Sequence, residues 1–157
     1  HELVMKPLFG SQGAGLRRLA APADLPPAAD YHNVYYLQRF VGPVSGPSED
    51  YRVLVAGGVA RAAMTRRGAS WINNVAQGAR CLPAPDDPEL LRMAEAATAA
   101  LGMDYAGVDL MRDRDGRLAV LEVNSIPGWR GLRKTVSFNV ADVIVSYVLE
   151  RMEHSNA

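Results

Sequence analysis

A chain of 157 residues, 48% of them apolar, is long enough to bury one core and is sized for a single domain spanning residues 1–157. Seventeen basic and seventeen acidic residues cancel, which leaves no global field for nucleic acid or an anionic membrane surface, so any anion must be recognised locally. The lone cysteine, Cys81, excludes an internal disulfide, no Cys/His spacing suits zinc, and no apolar run reaches the roughly 18 residues of a membrane helix; a soluble, cytoplasmic protein is expected.

The chain opens on His1-Glu2-Leu3-Val4-Met5-Lys6, with no initiator methionine and no signal peptide, and is expected to be part of a longer protein. Leu3 to Lys6 predicts a short strand ended by Pro7, which feeds the glycine-rich loop Gly10-Ser11-Gln12-Gly13-Ala14-Gly15. Residues 16 to 20 resume as a strand, and Pro22, Pro26 and Pro27 forbid a long helix after it. Val34 to Val41, rich in valine and aromatics and closed by Gly42-Pro43, predicts a buried strand. Asp50 to Ala56 and Val59 to Arg66 form the clearest hairpin, because Gly57-Gly58 supplies the positive φ angles of a tight turn. Asp86 to Leu101 predicts a helix, opened by Asp-Asp-Pro-Glu and stopped by Gly102. Tyr105 to Met111 and Arg117 to Val123 flank Asp113-Arg114-Asp115-Gly116 as a second hairpin. A loop from Asn124 to Thr135 precedes Val140 to Met152, whose apolar spacing is that of a closing amphipathic helix. Hairpins with helices between them make an α+β domain rather than a doubly wound parallel sheet.

Three stretches carry candidate chemistry. In the second hairpin, Glu122 and Asn124 lie two apart on one strand and share a face, with Asp109 on the strand that pairs with it. Two carboxylates and a carboxamide oxygen suit Mg²⁺ shared with phosphates, although the same alternation equally fits an exposed hairpin. Lys6 ahead of Gly10, Ser11, Gln12 and Gly13 offers a point charge and backbone amides for a phosphate; without a partner site such a loop is more often a plain turn, and no Gly-Lys-Ser/Thr makes it a Walker loop. Arg130, Arg133 and Lys134, in the loop with Trp129, could grip carboxylates or form a solvated basic loop.

Taken in order, VMKPLFGSQGAG at 4–15, YYLQRFV at 35–41, DYRVLVAGG at 50–58, WINNVAQGA at 71–79, AGVDLM at 106–111 and LEVNSIPGWRGLRKT at 121–135 resemble the C-terminal part of the ATP-grasp superfamily, specifically the RimK-like glutamate ligases. The resemblance implies an ATP-grasp fold, mainly antiparallel sheet with flanking helices, here without the family's N-terminal domain and its further phosphate-binding lysine. It implies ATP and two Mg²⁺ ions, with Mn²⁺ as a substitute. Lys6 then contacts the ATP phosphates beneath the 10–15 loop, Arg39 and Phe40 align with the linker that holds adenine, and Asp50 lies near the ribose. Arg52 faces the acyl phosphate, Asn73 lies close to nucleotide and metals, and Asp109, Glu122 and Asn124 are the magnesium ligands, Glu122 bridging two ions.

The implied reaction joins an acceptor carboxylate to an amine through an acyl phosphate, with no catalytic serine or cysteine. Glutamate is the expected amine, held by Arg130 and Arg133, and the acceptor is a small-molecule or peptide carboxylate, a pterin-type cofactor or a protein C-terminus. A homo-oligomer is compatible with this pattern. Arg39 departs from the acidic residue usual in the linker, and Trp71 replaces an arginine common in relatives that modify a ribosomal protein, which points toward pterin-type acceptors. The competing readings are a non-catalytic ATP- and magnesium-binding module and an ATP-grasp ligase for a different amino acid or peptide.

Overall fold

The computed structural model describes residues 2–9, 12–43 and 46–155. Strands β1 (Leu3–Lys6), β2 (Arg17–Leu19) and β3 (Tyr36–Arg39) make a small antiparallel sheet in the order β2-β1-β3. Strands β4 (Ser48–Ala56), β5 (Val59–Gly68), β6 (Arg80–Pro83), β7 (Tyr105–Arg112) and β8 (Leu118–Asn124) make a larger antiparallel sheet in the order β6-β5-β4-β7-β8. Helices α1 (Pro88–Ala100) and α2 (Val140–Ser155) complete the α+β architecture.

The turn chemistry explains the connections. Gly57 and Gly58 both take positive φ, +65° and +74°, as a two-residue hairpin demands. The Asp87 carboxylate caps α1 by accepting from the backbone N–H groups of Glu89 and Leu90, and Gly102, at φ +63°, follows its end.

Each face of the large sheet has its own cover. Val53 and Val55 of β4 and Ala106, Val108 and Leu110 of β7 point to one side and pack on Leu90 and Ala94 of α1. On the other side Leu54, Ala62 and Met64 pack with Leu132 and Val140, so the 125–139 loop and the start of α2 close that end. The alternation in β4 therefore sends Asp50, Arg52 and Leu54 to the face opposite α1. Two register shifts matter. The β4–β5 ladder slips between Leu54 and Val55, and the β7–β8 ladder slips between Asp109 and Leu110, which leaves Leu121 as the extra residue of a bulge. The bulge lets Val120 and Val123 both pack toward α1 while Glu122 opposes Asp109.

One expectation needs correction. The strand predicted as buried over Val34 to Val41 is the short β3, whose Tyr36, Leu37 and Arg39 are exposed. It is an edge strand, paired among the described residues only with β1, so its apolar composition does not place it inside. The sequence also leaves β6 unread, because Arg80–Pro83 is only four residues long and ends in proline at a sheet edge. Among the described residues no helix is long and apolar enough to cross a membrane.

Candidate active site

Four strands of the large sheet place charged side chains in one row. Asp50 of β4 lies opposite Arg66 of β5, Arg52 of β4 opposite Asp109 of β7, and Asp109 opposite Glu122 of β8, with Asn124 opposite Gly107 on the same face. The Arg52 guanidinium donates through Nε and Nη2 to the two Asp109 oxygens, both at 2.8 Å. Arg66 donates to Asp50 at 2.6 and 2.8 Å, and its Nη2 also lies 2.9 Å from Asp109 Oδ2. Arg66 thus bridges two carboxylates, and only 4% of its side chain is exposed.

Burial pushes the Asp50 carboxyl up to about 6 against the pull of Arg66. Burial also opposes the Arg66 charge, but Asp109 and Asp50 outweigh it and hold the guanidinium above its ordinary value, so it stays protonated. Both Asp50 oxygens accept from Arg66. Glu122 is exposed and, among the described residues, its carboxylate makes no hydrogen bond or ion pair, while Asn124 Oδ1 accepts from the Ile126 N–H at 3.3 Å. Asp109, Glu122 and Asn124 offer oxygen donors only, and two carboxylates with one carboxamide fit Mg²⁺ completed by water and phosphate. Among the described residues no cluster of three His, Cys, Asp or Glu side chains provides a closed protein cage.

Loops border the row on both sides. A Cβ on Gly107 would lie 2.4 Å from that of Pro127, and one on Gly131 would lie 2.9 Å from Cys81 Sγ, so the 127–131 loop crosses the sheet beside the charges. At the other end, Asn73 Oδ1 accepts from Ser48 Oγ at 2.9 Å and from the Gly68 N–H at 3.0 Å, which anchors the segment after β5. Asn73 is buried with its oxygen spent on the protein, and its Nδ2 has no partner among the described residues. The neighbouring Asn74, which the sequence does not single out from the Asn-Asn pair, faces the glycine loop: its Oδ1 lies 2.6 Å from where a Gly13 Cβ would sit.

The remaining candidates are spread around this centre. Gln12 and Gly13 take positive φ, 60° and 79°, and lie on the 72–77 segment, where Gln77 Nε2 reaches Gln12 O at 3.4 Å; Gly10 and Ser11 lie outside the described residues. Lys6, on β1, sits 5.7 Å from the Tyr36 ring centroid and pairs with no carboxylate among the described residues. Phe40 is stacked by Arg18 at 4.1 Å and meets Trp71 edge-on at 5.9 Å, and with the exposed Arg39 it lines an open pocket of about 550 Å³ bordered by Glu2 and the β7–β8 turn. Arg133 lines a separate cavity of about 440 Å³ with Trp129 and Phe138, whereas Arg130 is exposed and does not line it. Arg66 is the central residue that the sequence does not flag.

Alanine at Gly13 must take an unfavourable φ and push Asn74 away from the loop. We expect Gly13→Ala in the full protein to raise the KM for ATP about tenfold and to lower the melting temperature by only about 2–4 °C. Steady-state kinetics alongside thermal melts check this, and an unchanged KM would separate the loop from nucleotide binding.

Residues 2–148 match the family model of the RimK-like ATP-grasp domain. The chain belongs to the RimK-like ATP-grasp family. It is 38% identical over 159 residues to the tetrahydromethanopterin:alpha-L-glutamate ligase of Methanocaldococcus jannaschii, covering 95% of this chain and 54% of that protein. It is 34% identical to the enzyme of the same name from Methanococcus maripaludis, covering 94% and 52%. The chain thus spans about half the length of these curated relatives. In fold this family member is similar to the ATP-grasp ligase PsnB complexed with a phosphomimetic precursor variant, Mg and ADP, with TM-score 0.68, 20% identity and coverage of 96% of this chain and 46% of PsnB. The D-alanine–D-alanine ligase of Bacillus anthracis complexed with ATP gives TM-score 0.66 at 20% identity, over 99% of this chain and 55% of that one. The expected ATP-grasp architecture, antiparallel sheets with two helices, is the one found.

Proposed function

We propose that this chain is the nucleotide- and magnesium-binding part of an ATP-dependent ligase that joins glutamate, through an acyl phosphate, to a small carboxylate-bearing acceptor of the pterin-cofactor type. The observation that carries the reading is the cross-strand row Arg66, Asp50, Arg52, Asp109 and Glu122, bordered by two loops on one face of the sheet. The acceptor and amine are suggested by the names of the two archaeal relatives.

In this reading Lys6 and the backbone amides of the glycine loop hold the triphosphate, and Phe40 with the linker backbone holds the adenine. Asp109, Glu122 and Asn124 would hold Mg²⁺, which would supply neutralisation of charge on the phosphate oxygens. The acceptor carboxylate attacks the γ-phosphorus, ADP leaves, and the glutamate amine then displaces phosphate from the acyl phosphate. Arg52 presents its fork to the transferring phosphoryl group, while Arg66 keeps Asp50 and Asp109 in register. Arg133, which shares a pocket with Trp129, receives a carboxylate of the incoming glutamate in this reading, with the exposed Arg130 beside it in the chain. No step uses Cys81.

The test is ADP release by the full protein supplied with ATP, Mg²⁺, glutamate and a tetrahydromethanopterin acceptor, with mass spectrometry of the product. ADP release that requires both acceptor and glutamate, with a glutamyl adduct, supports the proposal. An adduct only on a peptide C-terminus, or only with another amino acid, reassigns the substrates. Nucleotide binding without ADP release on any carboxylate acceptor makes the chain a binding module.

A further inference from the structure

Asp109 has little room for a metal in this geometry. Its Oδ1 accepts from Arg52 Nε, and its Oδ2 accepts from Arg52 Nη2 and lies 2.9 Å from Arg66 Nη2. A bidentate guanidinium is a strong, directional partner for a carboxylate, and here the pair is nearly shut off from water, with side-chain exposures of 14% and 8%. The two arginines are not equivalent. Arg66 is anchored by its fork on Asp50 as well as by Asp109, whereas Arg52 donates hydrogen bonds to Asp109 alone among the described residues and reaches Asp50 only through its charge. Arg52 can therefore swing away at the loss of one pairing, and Arg66 cannot.

Resting on the metal-ligand reading above, we infer that Arg52 and a divalent cation compete for Asp109, so that the site takes up metal efficiently only when nucleotide phosphates draw Arg52 away. A phosphate offers the guanidinium the same bidentate geometry as a carboxylate, so an arriving triphosphate gives Arg52 an equivalent partner and frees Asp109. Without nucleotide, a dication at Asp109 and Glu122 must either displace the Arg52 fork or sit beside its positive charge. Arg52 is thus a gate on metal entry, and the order of binding is built into the resting ion pair.

The experiment is Mn²⁺ titration of the full protein, read by the electron paramagnetic resonance signal of free Mn²⁺, with and without adenylyl imidodiphosphate. Without nucleotide, Arg52→Met is expected to bind Mn²⁺ about tenfold more tightly than wild type, as removal of a cation beside a carboxylate allows. Adding Glu122→Ala to Arg52→Met should abolish that gain. With the nucleotide analogue present, the advantage of Arg52→Met should fall to about twofold or less. Equal Mn²⁺ affinity of wild type and Arg52→Met without nucleotide overturns the competition. Arg52→Gln, which removes both the fork and the charge but keeps a polar side chain, covers a folding failure of the methionine variant: tighter Mn²⁺ binding than wild type supports the gate, and unchanged binding rejects it. If wild type takes up no Mn²⁺ even with the analogue, the metal-site reading itself fails, and the gate with it.

Discussion

Arg66→Met is expected to cost the chain about 3–5 kcal/mol of stability, the usual result of removing one partner from a buried ion pair. Arg66 is 4% exposed at its side chain and is shared by Asp50 and Asp109, so its loss leaves two buried carboxylates near one another, with only Arg52 to offset them. For a domain of this size that corresponds to a fall in Tm of roughly 6–20 °C. Calorimetry at neutral pH reads it directly. Asp50→Asn in the Arg66→Met background should recover part of the loss by removing one unpaired charge, a coupling that a generally damaged core would lack. A fall of less than about 2 °C would mean that the ion network is replaceable by apolar packing, as some buried networks are.

Glu122→Ala is expected to do the opposite: to leave stability within about 0.5 kcal/mol, because the side chain is exposed and unpaired among the described residues, and to remove magnesium-dependent nucleotide binding. Calorimetric titration with adenylyl imidodiphosphate, with and without Mg²⁺, separates the two effects, and turnover in the full protein should drop on the order of 10³-fold or more. Retention of Mg²⁺-dependent binding by a folded Glu122→Ala protein would remove Glu122 from the metal site and make the row a structural ion network. The contrast is informative because the two residues belong to one row: Arg66 acts through burial and Glu122 through an open carboxylate.

Local chemistry in the sequence was enough for the elements whose boundaries are set by few residues. Gly57-Gly58, the Asp87 cap with Pro88, and the Asp113–Gly116 turn each impose a backbone geometry that tertiary packing did not need to supply, and all three elements lie where they were read. The buried reading of Val34 to Val41 failed because valine and aromatic content measures β-propensity, whereas burial depends on how many neighbours a strand acquires.

By itself the sequence determined the α+β class, the two hairpins, the glycine loop after β1 and the family, since ordered motifs and turn residues are local properties of the chain. The charged row was decided only by the tertiary structure. Counting back from Gly57-Gly58 without a shift sets Asp50 against Thr65, and the slip at Leu54/Val55 is what turns Arg66 toward it. Counting back from the second turn sets Asp109 against Leu121, and the bulge there is what substitutes Glu122. A one-residue slip reverses the face of every side chain beyond it, and its position is fixed by packing of both sheet faces against α1 on one side and the 125–139 loop on the other, which no local pattern records.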